Sequence, residues 1–412
     1  MTNARNPRYR NVPFSATVAA LGVAVALNIA PAFAQKRYDP GASDVEIKIG
    51  QTMPYSGPAS AYGTIGKVEA AYFHLINDEG GINGRKINFL SMDDGYSPPK
   101  TVEMTRKLVE QDEVLLMFQS LGTGPNTAVQ KYLNAKKVPQ LFVATGASKW
   151  NDPKDFPWTM GWQPNYQTEG SIYARHILLT KPNAKIAVLM QNDDYGKDYL
   201  KGFKDGLGAK AATMIVAEAT YEVSDPTIDS QIVTLKGSGA DVLFNIATPK
   251  FAAMAIRKVY DIGWKPVHYL NNVSASVGSV LTPAGLDKSV GLISTQYLKD
   301  PTDSQWDSDP AIKEWKSFMK RYYPDGNLAD ASNLYGYAAA QTMVQVLKQC
   351  GDNLTHENVM KQASNLKNLR LTVALPSVLI NTSATDFAPI ESEQLIRFDG
   401  KQWQRFGDVF GN

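Results

Sequence analysis

Two carboxylate pairs are the residues of this chain whose types and spacing come nearest to catalytic chemistry. Asp93-Asp94 and Asp193-Asp194 each follow a predicted strand, where paired acids could act as general acid and general base. Neither pair has a histidine or cysteine beside it, which favours loop or helix-capping roles. The segment Gly63–Lys67 lacks the glycine spacing of a phosphate loop and the Ser/Thr after its lysine. Because no convincing catalytic set is present, we expect a binding protein and not an enzyme.

The metal-ligating residue types are few and scattered. His74, His176, His268 and His356 show no spacing typical of metal ligands, so we predict no metal and no cofactor. Cys350 is the only cysteine and cannot form a disulfide within the chain. We therefore expect core burial to supply the stability of the fold.

The stretch from Ile47 to Gly63 shows which elements would position a binding site. Ile47, Ile49 and Gln51 alternate with Lys48 and Gly50, which predicts a strand. A loop rich in proline, serine and glycine follows, and from Gly63 the apolar residues recur at helical spacing up to Gly80-Gly81. This order places the loop beyond the carboxyl end of a strand, where ligands bind in open α/β sheets.

Strand and helix patterns alternate along most of the chain. They alternate three times before residue 150, break at an aromatic segment over 155–164, and resume from Tyr166. Such alternation predicts α/β lobes with doubly wound parallel central sheets. Residues 291–297 read as a strand that carries the chain back towards the first lobe. From Leu371 onward we predict short strands that end in a hairpin over 394–409.

The ordered motifs of the first hundred residues resemble those of the leucine/isoleucine/valine-binding family of periplasmic solute-binding proteins. They are Ser56-Gly-Pro58, Tyr62-Gly63, the turn Gly80-Gly-Ile-Asn-Gly-Arg85 and the segment Asp93-Asp94-Gly-Tyr-Ser-Pro98. The resemblance implies a type I periplasmic binding protein with two lobes joined by three crossings. We place lobe 1 at 44–163 with 292–372, and lobe 2 at 164–291 with 373–412.

The resemblance also implies where a ligand binds. In the family, two strand-end loops of the first lobe hold the ligand carboxylate through hydroxyl and backbone N–H groups. The matching residues here are Ser120, Leu121, Gly122 and Thr123 in one loop, and Thr145, Gly146, Ala147 and Ser148 in the other. Glycine allows close approach of the backbone, and amides at a helix start suit an anion. A tight strand-to-helix connection would explain either loop alone equally well.

Aromatic and polar residues complete the predicted site. Tyr62 matches the ring that stacks on the ligand from the first lobe, and Tyr195 matches the aromatic residue that the second lobe contributes near the hinge. Packing in the core is the alternative role for either ring. The further candidates are Trp162 and Tyr166 near the crossing, and Thr248, Asn272 and Ser274 in second-lobe loops.

One departure from the family pattern bears on the ligand. Amino-acid-binding members carry an acid in the loop matched by 271–279, where it pairs with the ligand ammonium, and here that loop has no acid. Burying an ammonium without a counter-charge costs several kcal/mol. We therefore predict an aromatic or branched aliphatic carboxylate as ligand, with a branched-chain amino acid as the alternative. An acid on a neighbouring loop could still supply the charge: Asp193, Asp194, Glu222 or Asp225.

The first 34 residues predict a cleavable signal peptide. Arg5, Arg8 and Arg10 precede a mainly apolar run, and Ala32-Phe33-Ala34 is an A-x-A cleavage site. A transmembrane anchor would need about 20 apolar residues, and Asn28 and Pro31 interrupt the run. We expect export to the periplasm and a mature chain that begins at Gln35.

The charge balance limits the partners. Without the three leader arginines, the 42 basic residues fall to 39 against 40 acidic ones, so no nucleic acid or anionic lipid is expected as partner. We expect a monomer that binds a small carboxylate and serves the permease subunits of an ABC importer. A ligand-sensing module of a membrane receptor is a rival function. It would be favoured by an apolar transmembrane run downstream, which the sequence lacks.

Overall fold

Two large, parallel-dominated β-sheets with helices on their faces, together with one small two-stranded sheet, make up the described part of the chain. The computed structural model describes residues 36–410, and the predicted signal peptide lies outside these residues. The elements up to the first crossing are β1 (Arg37–Tyr38), β2 (Glu46–Met53), α1 (Gly63–Asp78), β3 (Lys86–Asp93), α2 (Pro98–Glu110), β4 (Leu116–Phe118), α3 (Thr123–Lys136), β5 (Gln140–Val143) and β6 (Thr159–Gly161).

The elements between the first and second crossings alternate in the same way. They are α4 (Tyr166–Thr180), β7 (Ile186–Gln191), α5 (Asp194–Leu207), α6 (Ala211–Met214), β8 (Ile215–Tyr221), α7 (Asp229–Gly237), β9 (Val242–Ile246), α8 (Pro249–Asp261), β10 (Val267–Leu270), α9 (Thr282–Ala284) and β11 (Ile293–Gln296). The rest of the chain adds α10 (Pro310–Tyr322), α11 (Ala331–Cys350), β12 (Asn353–Leu354), α12 (His356–Ala363), β13 (Glu393–Phe398) and β14 (Trp403–Phe410).

The first sheet has the strand order β3-β2-β4-β5-β6, and all of its pairings are parallel. Strand β4 is wholly apolar and wholly buried, as expected of a central parallel strand covered by helices on both faces. The core beside this sheet includes Trp162, Trp315 and residues of α1, α10 and α11. These elements form the lobe that carries the loops 120–123 and 145–148.

The second sheet has the strand order β14-β13-β11-β10-β9-β7-β8. Its strands from β11 to β8 are parallel to their neighbours, whereas β13 and β14 form an antiparallel hairpin at one edge. The hairpin predicted over 394–409 is therefore present as β13 and β14. Together the two sheets make an α/β fold of two lobes, as the sequence predicted.

The pairings of β11 move the boundaries between the lobes. We predicted that lobe 1 resumes at residue 292, but Ile293 pairs with Tyr269 of β10 and with Arg397 of β13 in the second sheet. We predicted that lobe 2 resumes at residue 373, but Val373 and Ile390 are buried in the core of the first lobe. We therefore propose lobe boundaries near residues 297 and 391, with the first crossing between β6 and α4.

The short strands predicted after Leu371 do not form before β13. Residues 371–392 make only isolated bridges, such as the one from Leu298 to Ala374. Their apolar side chains cover the first core, and Pro376 and Pro389 lack the N–H that a sheet ladder needs. This segment therefore closes the first lobe as irregular chain.

Candidate ligand-binding cleft

A cleft lies between the two lobes at the carboxyl ends of their strands. It encloses about 970 Å³ that no atom fills, part of it open to solvent. Its wall includes residues that follow β2, β3, β4, β7, β9 and β10, which is where open α/β sheets bind ligands. The predicted site residues in this wall are Tyr62, Leu121, Gly122, Thr123, Tyr166, Tyr195, Thr248 and Asn272.

Tyr62 crosses the cleft from the first lobe to the second. Its hydroxyl donates to the backbone carbonyl of Val273 at 3.0 Å, and its ring is 8% exposed. Burial raises the pKa of the Tyr62 phenol well above its ordinary value, so the hydroxyl stays protonated and able to donate. The ring therefore forms both a wall of the cleft and a bond between the lobes.

The other tyrosines of the wall form an aromatic lining. The Tyr166 ring lies edge-on to Tyr195 with the ring centroids 5.4 Å apart, and Tyr335 donates its hydroxyl to Gln163 Oε1 at 2.9 Å. Tyr96 lies in the same wall. Burial raises the pKa of the Tyr96, Tyr195 and Tyr335 phenols well above the ordinary value. These rings are therefore uncharged and suit an apolar ligand body.

The start of α3 faces this lining. Gly122 precedes the helix with φ at 100°, a conformation that L side chains rarely adopt, and a Cβ there would lie 2.5 Å from the Tyr96 ring. The Thr123 hydroxyl lies 2.6 Å from that of Thr145. The first amides of a helix have no acceptor within the helix, and its dipole favours a negative charge there. The start of α3 can therefore hold a carboxylate.

The second predicted loop is placed differently. Thr145, Gly146, Ala147 and Ser148 are not in the wall of the cleft. Ser148 donates its N–H and its hydroxyl to the two carboxylate oxygens of Asp198, at 2.8 and 2.7 Å. Asp198 belongs to α5 of the second lobe, so a carboxylate of this chain already occupies the two donors of Ser148. The loop joins the lobes instead of lining the cleft.

Three further predicted residues lie behind the wall. Trp162 is fully buried and donates its indole N–H to the Thr342 hydroxyl at 3.0 Å. The Ser120 hydroxyl accepts from the backbone N–H of Thr52 at 3.1 Å. Ser274 donates its hydroxyl to the carbonyl of Ala247 at 2.6 Å. Each side chain supports the loops from inside a lobe.

The acids considered as partners of a ligand ammonium lie outside the wall. Asp193 caps α5 and accepts from the N–H groups of Tyr195 and Gly196 at 3.1 and 3.2 Å. Asp194 pairs with Lys149 at 2.6 Å, and Asn192 donates to Glu222 at 2.6 Å. The remaining one, Asp225, accepts from the Glu222 N–H at 2.8 Å.

A different acid reaches the cleft. Asp300 lines it, is 8% exposed, and accepts from the N–H of Thr302 at 2.8 Å. Burial raises the pKa of Asp300 to about 6. The neighbouring Lys299 also lines the cleft, but its ammonium is held by Asp309 and by the Thr372 carbonyl, each at 2.8 Å. The Lys299 ammonium is therefore paired with groups of the first lobe.

A third link between the lobes lies beside the cleft at the start of α11. The carboxylate of Asp330, which caps α11, accepts from the hydroxyls of Ser276 and Ser279 at 2.9 and 3.0 Å. The N–H of Gly278 donates to the carbonyl of Ala329 at 2.8 Å. With the bonds of Tyr62 and Ser148, these contacts hold the two lobes in a closed arrangement.

Sequence reasoning missed several wall residues. Tyr96 could have been found, because it directly follows β3 within the segment Asp93–Pro98. Tyr335 lies in the interior of α11, and Gln296 ends a strand that we assigned to the other lobe. Their positions give no local signal of a site.

Comparison with known proteins shows which family has this architecture. The family model described as periplasmic binding protein matches residues 46–399, which is most of the chain. The chain belongs to the periplasmic binding protein family. A relative, the Leu/Ile/Val-binding protein homolog 1 of Brucella abortus, is 25% identical over 336 residues, covering 80% of this chain and 86% of that protein.

Two solved structures share this fold. A branched chain amino acid ABC transporter protein from Thermus thermophilus with bound valine has a TM-score of 0.80 and 15% identity, covering 90% of this chain and 98% of that one. A fatty acid ABC transporter substrate-binding protein from Thermomonospora curvata has a TM-score of 0.77 and 21% identity, covering 92% and 95%. At these identities the likeness concerns the fold. Within residues 36–410, no helix of this periplasmic binding protein is long and apolar enough to cross a membrane.

Proposed function

We propose that this protein is the substrate-binding component of an ABC importer and captures a small carboxylic acid with an aromatic or branched aliphatic body. It does so as a periplasmic monomer, by closure of the two lobes, and delivers the acid to permease subunits in the inner membrane. The observation that carries the proposal is the tyrosine-lined cleft with the start of α3 in its wall. Neutral rings suit an apolar body, and helix amides suit a carboxylate.

The second-lobe side of the cleft supports a ligand without an ammonium group. The loop that carries Asn272 contains no acid, and the backbone N–H of Asn272 itself donates to the buried carboxylate of Glu169 at 2.7 Å. Burial raises the pKa of Glu169, so its charged form is disfavoured although the Asn272 N–H donates to it. An ammonium would face neutral groups on this side, at a net loss of roughly 2–5 kcal/mol relative to a paired site.

A branched-chain amino acid is the second candidate ligand, and Asp300 is the observation that favours it. Asp300 is the acidic residue of the wall, and pairing with a ligand ammonium would stabilise its ionised form. The Brucella abortus relative is named for leucine, isoleucine and valine, and the Thermus thermophilus protein holds valine. The two candidates differ in one group of the ligand and in the role of Asp300.

Calorimetry with matched ligand pairs tests the proposal. We expect 4-methylpentanoate and 3-phenylpropanoate to bind at least about 30-fold more tightly than leucine and phenylalanine, since 1.4 kcal/mol corresponds to a tenfold change. Asp300→Asn is the control variant. It should leave the binding of the acids unchanged. If leucine binds with micromolar affinity and the Asn variant loses it, the amino acid is the ligand and the proposal is wrong.

A further inference from the structure

A buried glutamine in the wall of the cleft has a carboxamide without partners. Gln296 ends β11 and is 6% exposed. Among the residues that the structure describes, neither its Nε2 nor its Oε1 finds a hydrogen-bond partner. Within the described wall, no other side chain has a buried polar atom in this condition. Buried polar groups normally have hydrogen-bond partners, so we expect another molecule to supply partners for the Gln296 carboxamide.

The register of the sheet shows which side chains lie on the same face as Gln296. Ser294 pairs with Ile396 across the antiparallel ladder, and side chains two residues apart on a strand point to the same face. Gln296 therefore points to the face of Ile396, and Ile396 and Trp403 both belong to the wall of the cleft. The Trp403 indole N–H already donates to the Ala275 carbonyl at 2.8 Å. The residue directly opposite Gln296 on this face is Gln394, whose Nε2 donates to the Gly407 carbonyl at 3.0 Å, so the carboxamide has both polar and apolar neighbours.

The chemistry of a carboxamide restricts what can satisfy it. Its Nε2 needs an acceptor and its Oε1 needs a donor. A carboxylate accepts but does not donate, and a hydrocarbon surface does neither. A hydroxyl group donates one proton and accepts through its lone pairs, so it can serve one or both atoms of Gln296. A site built to bond a hydroxyl discriminates strongly against the ligand that lacks it, because the site's own polar atoms then stay unpaired.

We propose that Gln296 is a specificity-determining residue that recognises a hydroxyl group on the apolar body of the carboxylic acid. This inference rests on the proposed function, because it assumes that a carboxylic acid occupies the cleft. The ligand class becomes a hydroxylated aromatic or aliphatic monocarboxylate. The hydroxyl contacts β11, and the carboxylate lies at the start of α3.

Paired acids that differ by one hydroxyl test this recognition. The probes are benzoate with 3- and 4-hydroxybenzoate, 3-phenylpropanoate with its 3- and 4-hydroxyphenyl analogues, and 4-methylpentanoate with 2-hydroxy-4-methylpentanoate. Calorimetry should show at least one hydroxylated acid binding at least tenfold more tightly than its parent. In Gln296→Met, which keeps the length of the side chain and removes both polar atoms, that preference should fall below threefold.

Gln130→Met is the matched control. Gln130 is also a buried glutamine with an unpartnered Nε2, but it lies inside α3 and outside the wall of the cleft. This variant should keep the preference for the hydroxylated acid. Its melting transition shows separately what the loss of a buried amide does to the fold.

The possible outcomes separate the two proposals. If no acid of the panel binds, the proposed function fails, and this inference fails with it. If acids bind without regard to the hydroxyl, or if Gln296→Met keeps the tenfold preference, a carboxylic acid is still the ligand and the role of Gln296 is overturned. A preference that disappears in Gln296→Met and persists in Gln130→Met supports the inference.

Discussion

Removing the hydroxyl of Tyr62 should weaken ligand binding without unfolding the protein. In Tyr62→Phe the ring stays in the wall, and the bond to the Val273 carbonyl, 3.0 Å long, is lost. A neutral hydrogen bond contributes about 1 kcal/mol net. This bond joins the two lobes, so we expect its loss to act on the equilibrium between open and closed forms. Since ligand affinity scales with the closed population, Kd should rise about fivefold.

Truncation of the whole ring should have a larger effect. Tyr62→Ala also removes an aromatic surface from the cleft, which contributes on the order of 1–3 kcal/mol through burial and stacking. The expected rise in Kd is then about 5- to 150-fold. Calorimetry with 3-phenylpropanoate measures this change, and differential scanning calorimetry of the unliganded variants shows whether the fold is intact.

Tyr72→Phe is the matched control for the hydroxyl. Tyr72 is 8% exposed, as is Tyr62, but it packs in the first-lobe core against Phe318 and Tyr337. Its variant should bind as the unmodified protein does. The reasoning is refuted if Tyr62→Phe binds with unchanged affinity. It is also refuted if Tyr62→Ala loses its melting transition while its folded fraction keeps full affinity, because Tyr62 would then be a core residue.

Three further substitutions test the geometry of the cleft. Gly122→Ala should lower the unfolding free energy by about 1–3 kcal/mol in denaturant titrations, because the alanine would have an unfavourable φ and its added methyl group would clash with the Tyr96 ring. Gly239→Ala is the control: its φ is 73° but nothing lies within 4 Å of the added Cβ, so its unfolding free energy should fall by less. Because burial raises the pKa of Asp300 to about 6, the stability contributed by its protonated form is complete below the unfolded value near 3.8 and is lost as pH rises through 6. Asp300→Asn should therefore gain about 2–3 kcal/mol relative to the unmodified protein between pH 4 and pH 7 in the same titrations, and equal pH profiles would contradict this. In calorimetry, Ser148→Ala should weaken the binding of 3-phenylpropanoate and of its neutral amide by the same factor. If only the binding of 3-phenylpropanoate weakens, Ser148 holds the ligand carboxylate.

Local patterns were sufficient for most of the fold. The alternation that the sequence predicts to resume from Tyr166 does so with α4, and the hairpin predicted over 394–409 is formed by β13 and β14, because apolar periodicity and turn residues are local properties. The same patterns place loops at the carboxyl ends of strands, and eight of the predicted residues lie in the wall of the cleft, Tyr62 and Tyr195 among them. Whether these residues bind a ligand stays a prediction.

The structure departs from the sequence-based expectations where a residue's partner is distant in the chain. Ser148 has the residue type and the loop of an anion site, but Asp198, fifty residues later and in the other lobe, takes both of its donors. Strand β11 lies within residues 291–297, which the sequence predicts as a strand that carries the chain back towards the first lobe. Its pairing with β13, about a hundred residues later, places it in the second sheet. No local pattern carries information about either contact.

The sequence by itself determined the alternation of strands and helices, the loops that end each strand and the family that these motifs resemble. Only the tertiary structure decided which hydroxyls and carboxylates bond to each other, and which polar groups of the cleft wall have no partner within the described residues. Asp300 and Gln296 enter the cleft near the point where the chain crosses between the lobes, and no local motif marks either residue as part of a site. The physical reason is that backbone conformation follows from neighbouring residues, whereas the satisfaction of a buried polar group depends on every chain segment that packs against it.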